Sequence, residues 1–361
     1  WAQLFGFPPQ AGGLTVSGTS MATILALKAA LTAFGGLEMR DEGVHRPAGR
    51  LRAYTSVEAH SCVARALDLL GLGRRALRLI AVDDQFRLDP AALAAQIAAD
   101  RAAGDLPFCI IGTIGTVNHA AIDPLPALVA IARRERLWLH IDGAFGALAQ
   151  LSPALRPLLA GIEQADSLAF DVHKWLHVTY DAGVVLVRDA ELLRRAFADR
   201  PDYLAPAERG IAAGNPWFTE FGPELSRGFR ALKVWYQIEY FGLKRLAATI
   251  EENCRLAAYL AARIDAEPQL ERLTPVSLNI VCFRHRAGDA DDSLNARLVA
   301  ELQERGLAAP STTRIGGRTV IRVNLTNHRT READLDALVD DVLHLAEILQ
   351  PRVESRGRVE K

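Results

Sequence analysis

The sequence predicts an α/β protein, with a large domain on a mostly parallel sheet followed by a small α+β C-terminal domain. Three observations carry this. Short apolar runs alternate with Ala/Leu-rich helical stretches through the first two hundred residues, the order that builds parallel sheets. At 361 residues, half of them hydrophobic, the chain can bury a large core and a second, smaller one. From about residue 251 the alternation gives way to long helices and a few separated strands. The expected division is therefore 1–250 and 251–361.

Each element has its own signal. Residues 15–20 lead into an Ala/Leu-rich helix over 21–33. Residues 51–54 read as a strand, 61–70 as a helix and 77–82 as a strand. Asp89-Pro90, a cap followed by proline in the first helical position, starts a helix over 90–103. The run 108–111 is a buried strand, Asp123-Pro124 opens a helix, and 138–141 is the next strand. Strands at 167–170 and 183–187 complete the set. Regularity fails over 200–222, and an irregular stretch of that length is more often functional than inert. Helices are expected over 224–240 and 243–265, then strands at 277–283 and 319–325 with helices near 294–305 and 331–349. The last ten residues read as a solvated tail. The opening Trp1-Ala2-Gln3-Leu4-Phe5-Gly6 reads as the end of a helix, so a preceding segment is expected.

Composition excludes several classes of function. The net charge is −1, and basic residues are scattered among acids, with no stripe for nucleic acid. Apolar stretches are too short to span a bilayer, and the start carries no signal-peptide pattern. Cys62, Cys109, Cys254 and Cys282 are far apart, as in a cytoplasmic protein with reduced thiols. Nine dispersed histidines show no ligand spacing, so no metal site is expected.

Lysine is scarce: Lys28, Lys174, Lys233, Lys244 and Lys361 are the only five. Arginine, which supplies the other long basic side chains, stays protonated and cannot form a Schiff base. Lys174 follows the strand at 167–170, between His173 and Trp175. A lysine there, in a partly desolvated pocket, is a candidate to carry pyridoxal 5'-phosphate (PLP). Asp142 ends the preceding strand, where a partner for the pyridinium nitrogen would sit. Both fall at strand carboxyl ends, where ligands bind in open parallel sheets.

Other residues support this reading, several of them with a plainer alternative. Ser17-Gly18-Thr19-Ser20 begins a helix, and Thr19 and Ser20 could cradle a phosphate or simply cap the helix. His60 could stack on a planar ring or move a proton; it could equally be a capping or core histidine. Ala144 points to the same side as Asp142 in an extended chain and could pack on the ring. Asp171 and His173 flank the lysine and could reach the phosphate or orient the covalent linkage. Tyr203, in the irregular segment, is either a surface aromatic or a proton donor on a closing loop.

In order along the chain, Gly18-Thr19-Ser20-Met21-Ala22-Thr23, Ala59-His60-Ser61, Gly112 to Asn118, Asp142-Gly143-Ala144-Phe145, His173-Lys174-Trp175 and Gly228 to Trp235 resemble the group II PLP-dependent decarboxylases. That family includes the aromatic-L-amino-acid, histidine and glutamate decarboxylases. The resemblance covers nearly the whole chain and implies a fold-type I PLP enzyme that decarboxylates an L-amino acid. It implies Lys174 as the Schiff-base lysine, Asp142 on the pyridine nitrogen, and His60 and Ala144 on opposite ring faces. Thr19 and Ser20 then match the phosphate-binding pair, and Asp171 an asparagine near the phosphate. Tyr203 matches the tyrosine that protonates Cα, on a loop (200–222) that reaches across a homodimer, so the subunits share their active sites. Two departures stand out. Val117 occupies a threonine position, leaving Thr116 or Asn118 for that contact, and the family's N-terminal segment is missing from this sequence. Transamination, aldol-type cleavage, oxidative deamination and a non-catalytic PLP-fold protein are the alternatives.

Overall fold

The structure is a computed structural model that describes residues 1–44, 49–199, 207–210, 213–214, 217–289 and 292–349. The chain divides into two compact units, Trp1–Glu251 and Glu252–Lys361.

The first unit is built on a seven-stranded sheet. Its strands are β1 (Gly12–Val16), β2 (Leu51–Ser56), β3 (Leu77–Ile80), β4 (Leu106–Thr113), β5 (Trp138–Asp142), β6 (Ser167–Asp171) and β7 (Gly183–Val187). They lie in the order β1-β7-β6-β5-β4-β2-β3. From β3 across to β6 every pairing is parallel, and only β7 runs against its neighbours. The central strands β4 to β7 are almost wholly buried, which is why they read as unbroken apolar runs instead of alternating ones.

Helices cover this sheet. The 17-residue α1 (Thr19–Gly35) buries alanines and leucines around most of its circumference, against β6, β7, α3 (Cys62–Leu69) and α6 (Ala190–Phe197). α4 (Pro90–Ala102) starts as its sequence predicts: the Asp89 carboxylate accepts from the N–H groups of Ala91 and Ala92 ahead of Pro90. α5 (Leu125–Glu135) also follows its Asp-Pro signal, but Asp123 does not cap it. Its carboxylate instead accepts from Leu88 and Thr113 N–H, at 2.8 and 2.7 Å, and ties two loops together.

Several expectations shift. The helix expected from 224 begins later, as α7 (Arg230–Phe241). Pro223 and Gly228 interrupt the approach to it. β1 is an edge strand that its Gly12-Gly13 start conceals, and a short α2 (Glu38–Asp41) follows α1. The opening residues 2–6 form turns, not a helix end.

In the second unit, β8 (Leu270–Arg272), β9 (Ile280–His285), β10 (Ser311–Ile315) and β11 (Arg318–Asn324) form an antiparallel sheet in the order β10-β11-β9-β8. Gly316 and Gly317, both with positive φ, make the tight β10–β11 turn. α9 (Ser293–Glu304), α10 (Glu332–Leu349) and the end of α8 (Leu243–Asp265) pack Leu260, Ile264, Leu298, Val339 and Val342 with Phe283 and Ile321.

Candidate active site

The site grows from the carboxyl ends of two adjacent parallel strands. β5 ends at Asp142 and β6 at Asp171, and the strands are in register with Asp142 opposite Ala169. After β6 the chain makes a turn anchored by buried Val172, Trp175 and Leu176. Trp175 stacks on Phe145 at 4.6 Å between ring centroids, joining this turn to the segment that follows Asp142. The anchoring leaves Lys174 as the side chain free to project from the turn.

Lys174 Nζ lies 2.9 Å from Asp171 Oδ2. The other oxygen of that carboxylate accepts from the Thr19 N–H, at 2.7 Å, in the first turn of α1. One buried carboxylate thus links the lysine to a helix N-terminus. The approach is close because two glycines meet there. A Cβ on Gly183 would lie 2.5 Å from Gly18 Cα and 2.8 Å from Asp171 Oδ1. Next to them His173 Nδ1 accepts from the Ala182 N–H at 3.0 Å, and its ring lies against Tyr180. Burial lowers the His173 pKa, so its imidazole stays neutral more readily.

Asp142 is 2% exposed. Its Oδ1 accepts from the Ala144 N–H at 3.0 Å, and its Oδ2 lies 3.9 Å from Cys62 Sγ. Burial raises its pKa; the Ala144 N–H and the charges of Lys174 and His60 act in the opposite direction. His60 is exposed, on the loop after β2, and its Nδ1 accepts from the Cys62 N–H at 3.2 Å. That is the capping contact, made while the ring stays in electrostatic reach of Asp142.

Two positions sit differently from what their sequence suggests. Thr116 is buried, with its hydroxyl bonded to His119 Nδ1 at 3.1 Å and to the Ala121 N–H at 3.0 Å, while neighbouring Val117 is exposed. The Thr116 hydroxyl is therefore engaged within its own loop. Tyr203 lies outside the described residues. The sequence reading missed Glu58 and His119, which lock the loop after β2 to the loop after β4. His119 Nε2 lies 3.2 Å from Glu58 Oε2, and Asn118 Nδ2 donates to the same oxygen at 3.0 Å. Their signal was only closeness to His60 and Thr116. Cys62, two residues beyond His60, was passed over as an ordinary buried thiol.

These groups fit PLP. The phosphate end has the first-turn amides of α1 and the Thr19 hydroxyl, a buried oxygen with no protein partner. A cationic ring nitrogen matches Asp142, a desolvated carboxylate held by one backbone N–H and one thiol. Lys174 supplies the amine. Among the described residues no cluster of His, Cys, Asp or Glu could hold a metal ion.

Fold and site together define a PLP-dependent α/β enzyme. A family model described as the pyridoxal-dependent decarboxylase conserved domain matches residues 1–286. The chain belongs to this family of PLP-dependent amino-acid decarboxylases. It is 37% identical over 349 residues to an aromatic-L-amino-acid decarboxylase of Bacillus atrophaeus, spanning 95% of this chain and 71% of the relative. It is 34% identical over 348 residues to a histidine decarboxylase of Drosophila melanogaster, spanning 96% of this chain but only 40% of that protein. Among solved structures it resembles Oryza sativa TDC with PLP and tryptamine, at a TM-score of 0.88 and 27% identity, with 97% of this chain and 74% of the other covered.

Proposed function

We propose that this chain decarboxylates an L-amino acid with an aromatic side chain, using PLP held covalently by Lys174 Nζ. The observation that carries the proposal is the convergence of Lys174, Asp171 and the α1 N-terminus beside Asp142 at adjacent strand ends. The aromatic preference is supported by the name of the Bacillus relative.

PLP supplies an electron-withdrawing ring that takes up the electrons of the breaking Cα–carboxylate bond. The remaining work belongs to the chain. Asp142 keeps a proton on the ring nitrogen. The first turn of α1, with Thr19 and Ser20, holds the phosphate, and Asp171 fixes that turn relative to Lys174. His173 supports the turn from β7. His60 would stack on one ring face and Ala144 would pack on the other, and Thr116, a cofactor-binding candidate by sequence, supports the loop after β4 through its bonds to His119 and Ala121. Lys174 Nζ would hold the cofactor covalently. Tyr203, contributed across a homodimer, delivers the proton to Cα. Residues 1–250 form the cofactor-binding domain and 251–361 the small domain, and the enzyme works in the cytoplasm. Four cysteine thiols outside any disulfide support that location.

A carbon dioxide release assay over L-tryptophan, L-tyrosine, L-histidine and L-glutamate tests the proposal, with the product identified by mass. The expected result is stoichiometric amine from an aromatic substrate. Carbon dioxide from none of them would overturn it, and an aldehyde or keto acid in place of the amine would move the enzyme to another PLP reaction. Tyr203→Phe is expected to keep the cofactor and impair clean amine formation; an unchanged amine yield removes Tyr203 from the mechanism.

A further inference from the structure

We infer that Cys62 is a positioning residue for the ring-nitrogen carboxylate: its thiol donates to Asp142 and keeps that carboxylate ionised and aimed at the cofactor. The inference rests on the assignment of Asp142 proposed above. Cys62 Sγ lies 3.9 Å from Asp142 Oδ2, and both residues are buried. Oδ1 of the same carboxylate is already taken by the Ala144 N–H. Among the described residues these two are the donors recorded to Asp142. A carboxylate removed from water is costly unless donors hold its charge, so the loss of one of two matters.

The arrangement follows from the local fold. Cys62 is the first residue of α3, two positions after His60. The turn that presents the imidazole therefore also delivers the thiol to the carboxylate. Buried Thr23, on α1, also acts on the thiol, in the direction that lowers its pKa. Burial first, and then Asp142, push the Cys62 thiol up to about 12. The group keeps its proton and acts as a donor, not as a nucleophile. The other charged groups acting on Asp142 are Lys174 and Asp171, at the end of β6 and in the turn after it, and His60, in the loop before α3. None of these three donates a hydrogen bond to the carboxylate, so among the described residues the thiol is its one side-chain donor.

A thiol is a weak donor at this distance, so the effect is modest. Removing it leaves the ionised carboxylate less favourable and more basic, so the shared proton moves from the ring nitrogen towards Asp142. The test uses Cys62→Ala, Cys62→Val and Cys62→Ser, with Asp142→Ala as the reference. Two quantities are read: PLP affinity, from titration of the apoenzyme, and protonation of the ring nitrogen in the holoenzyme, by NMR of PLP isotopically labelled there. Thermal melting of each variant establishes that it is folded.

Cys62→Ala and Cys62→Val are expected to weaken PLP binding about 5- to 10-fold and to shift the labelled ring nitrogen towards its unprotonated form at neutral pH, as Asp142 takes up the proton. Cys62→Ser, which restores a donor, should return both quantities towards the wild type. If Cys62→Ala and Cys62→Val leave the protonation of the ring nitrogen unchanged while Asp142→Ala abolishes the ring proton, the role of Cys62 falls and that of Asp142 stands. If Asp142→Ala also leaves the ring proton in place, the assignment of Asp142 fails and this inference fails with it. Rescue by serine separates loss of a donor from loss of packing, because a merely structural cysteine would show no such recovery of ring-nitrogen protonation.

Discussion

Lys174 owes its position to the residues on either side of it. Trp175 and Leu176 are buried and Asp171 ends a fully buried strand, so the backbone of the turn is held from both directions. Lys174→Ala is therefore expected to fold normally, lose the visible absorbance of the bound cofactor and lose decarboxylation; retained absorbance would contradict the site. A second residue-scale effect comes from His140 on β5. It is fully buried, with Nδ1 2.8 Å from Ser167 Oγ, and burial lowers its pKa to about 3. In the unfolded chain the group titrates near 6.5, so below that pH the unfolded state binds the extra proton. Stability contributed above about pH 6.5 is thus lost progressively as the pH falls towards 3, by about 2 kcal/mol at pH 5. Denaturant titrations at pH 7 and pH 5 should show a smaller acid loss in His140→Leu than in the wild type. An equal loss would mean that His140 does not carry it.

At the scale of the element, the site depends on how α1 meets β7. A Cβ on Gly183 would collide with the Gly18 backbone and crowd Asp171. Gly183→Ala is expected to displace the first turn of α1, weaken PLP binding at least about tenfold and lower stability by about 1–3 kcal/mol. PLP titration and thermal melting measure the two effects, and wild-type affinity in a folded variant would show that this turn does not hold the phosphate. The same scale shows what a sequence makes legible. The buried strands β4 to β7 stood out because both faces are covered, and Asp89-Pro90 marked the start of α4 by the chemistry of the cap itself. β1 and β10 did not stand out. One begins with two glycines, the other is polar and mostly exposed, and both lie at sheet edges where a single neighbour defines the strand. Similarly, nothing in Glu58 or His119 taken singly announces a pair that spans two loops.

For the molecule as a whole, the proposed dimer has a visible correlate on α7. Phe229, Trp235, Tyr236 and Tyr240 are all more than half exposed on or beside this helix. A monomer rarely leaves so many aromatic side chains in water. Sedimentation velocity should show a dimer, and Trp235→Asp combined with Tyr240→Asp should shift it towards monomer with loss of activity; a wild-type monomer would remove Tyr203 from any role in trans. By itself the sequence determined the α/β class, the strand ends and the few residue types able to hold PLP. These depend on local apolarity and on chemistry that only lysine or a carboxylate can perform. Tertiary structure alone decided that Asp171 bridges Lys174 to α1, that Cys62 lies against Asp142, and that Thr116 turns into its own loop. Those contacts join residues brought together by packing across the sheet, and no spacing along the chain encodes them.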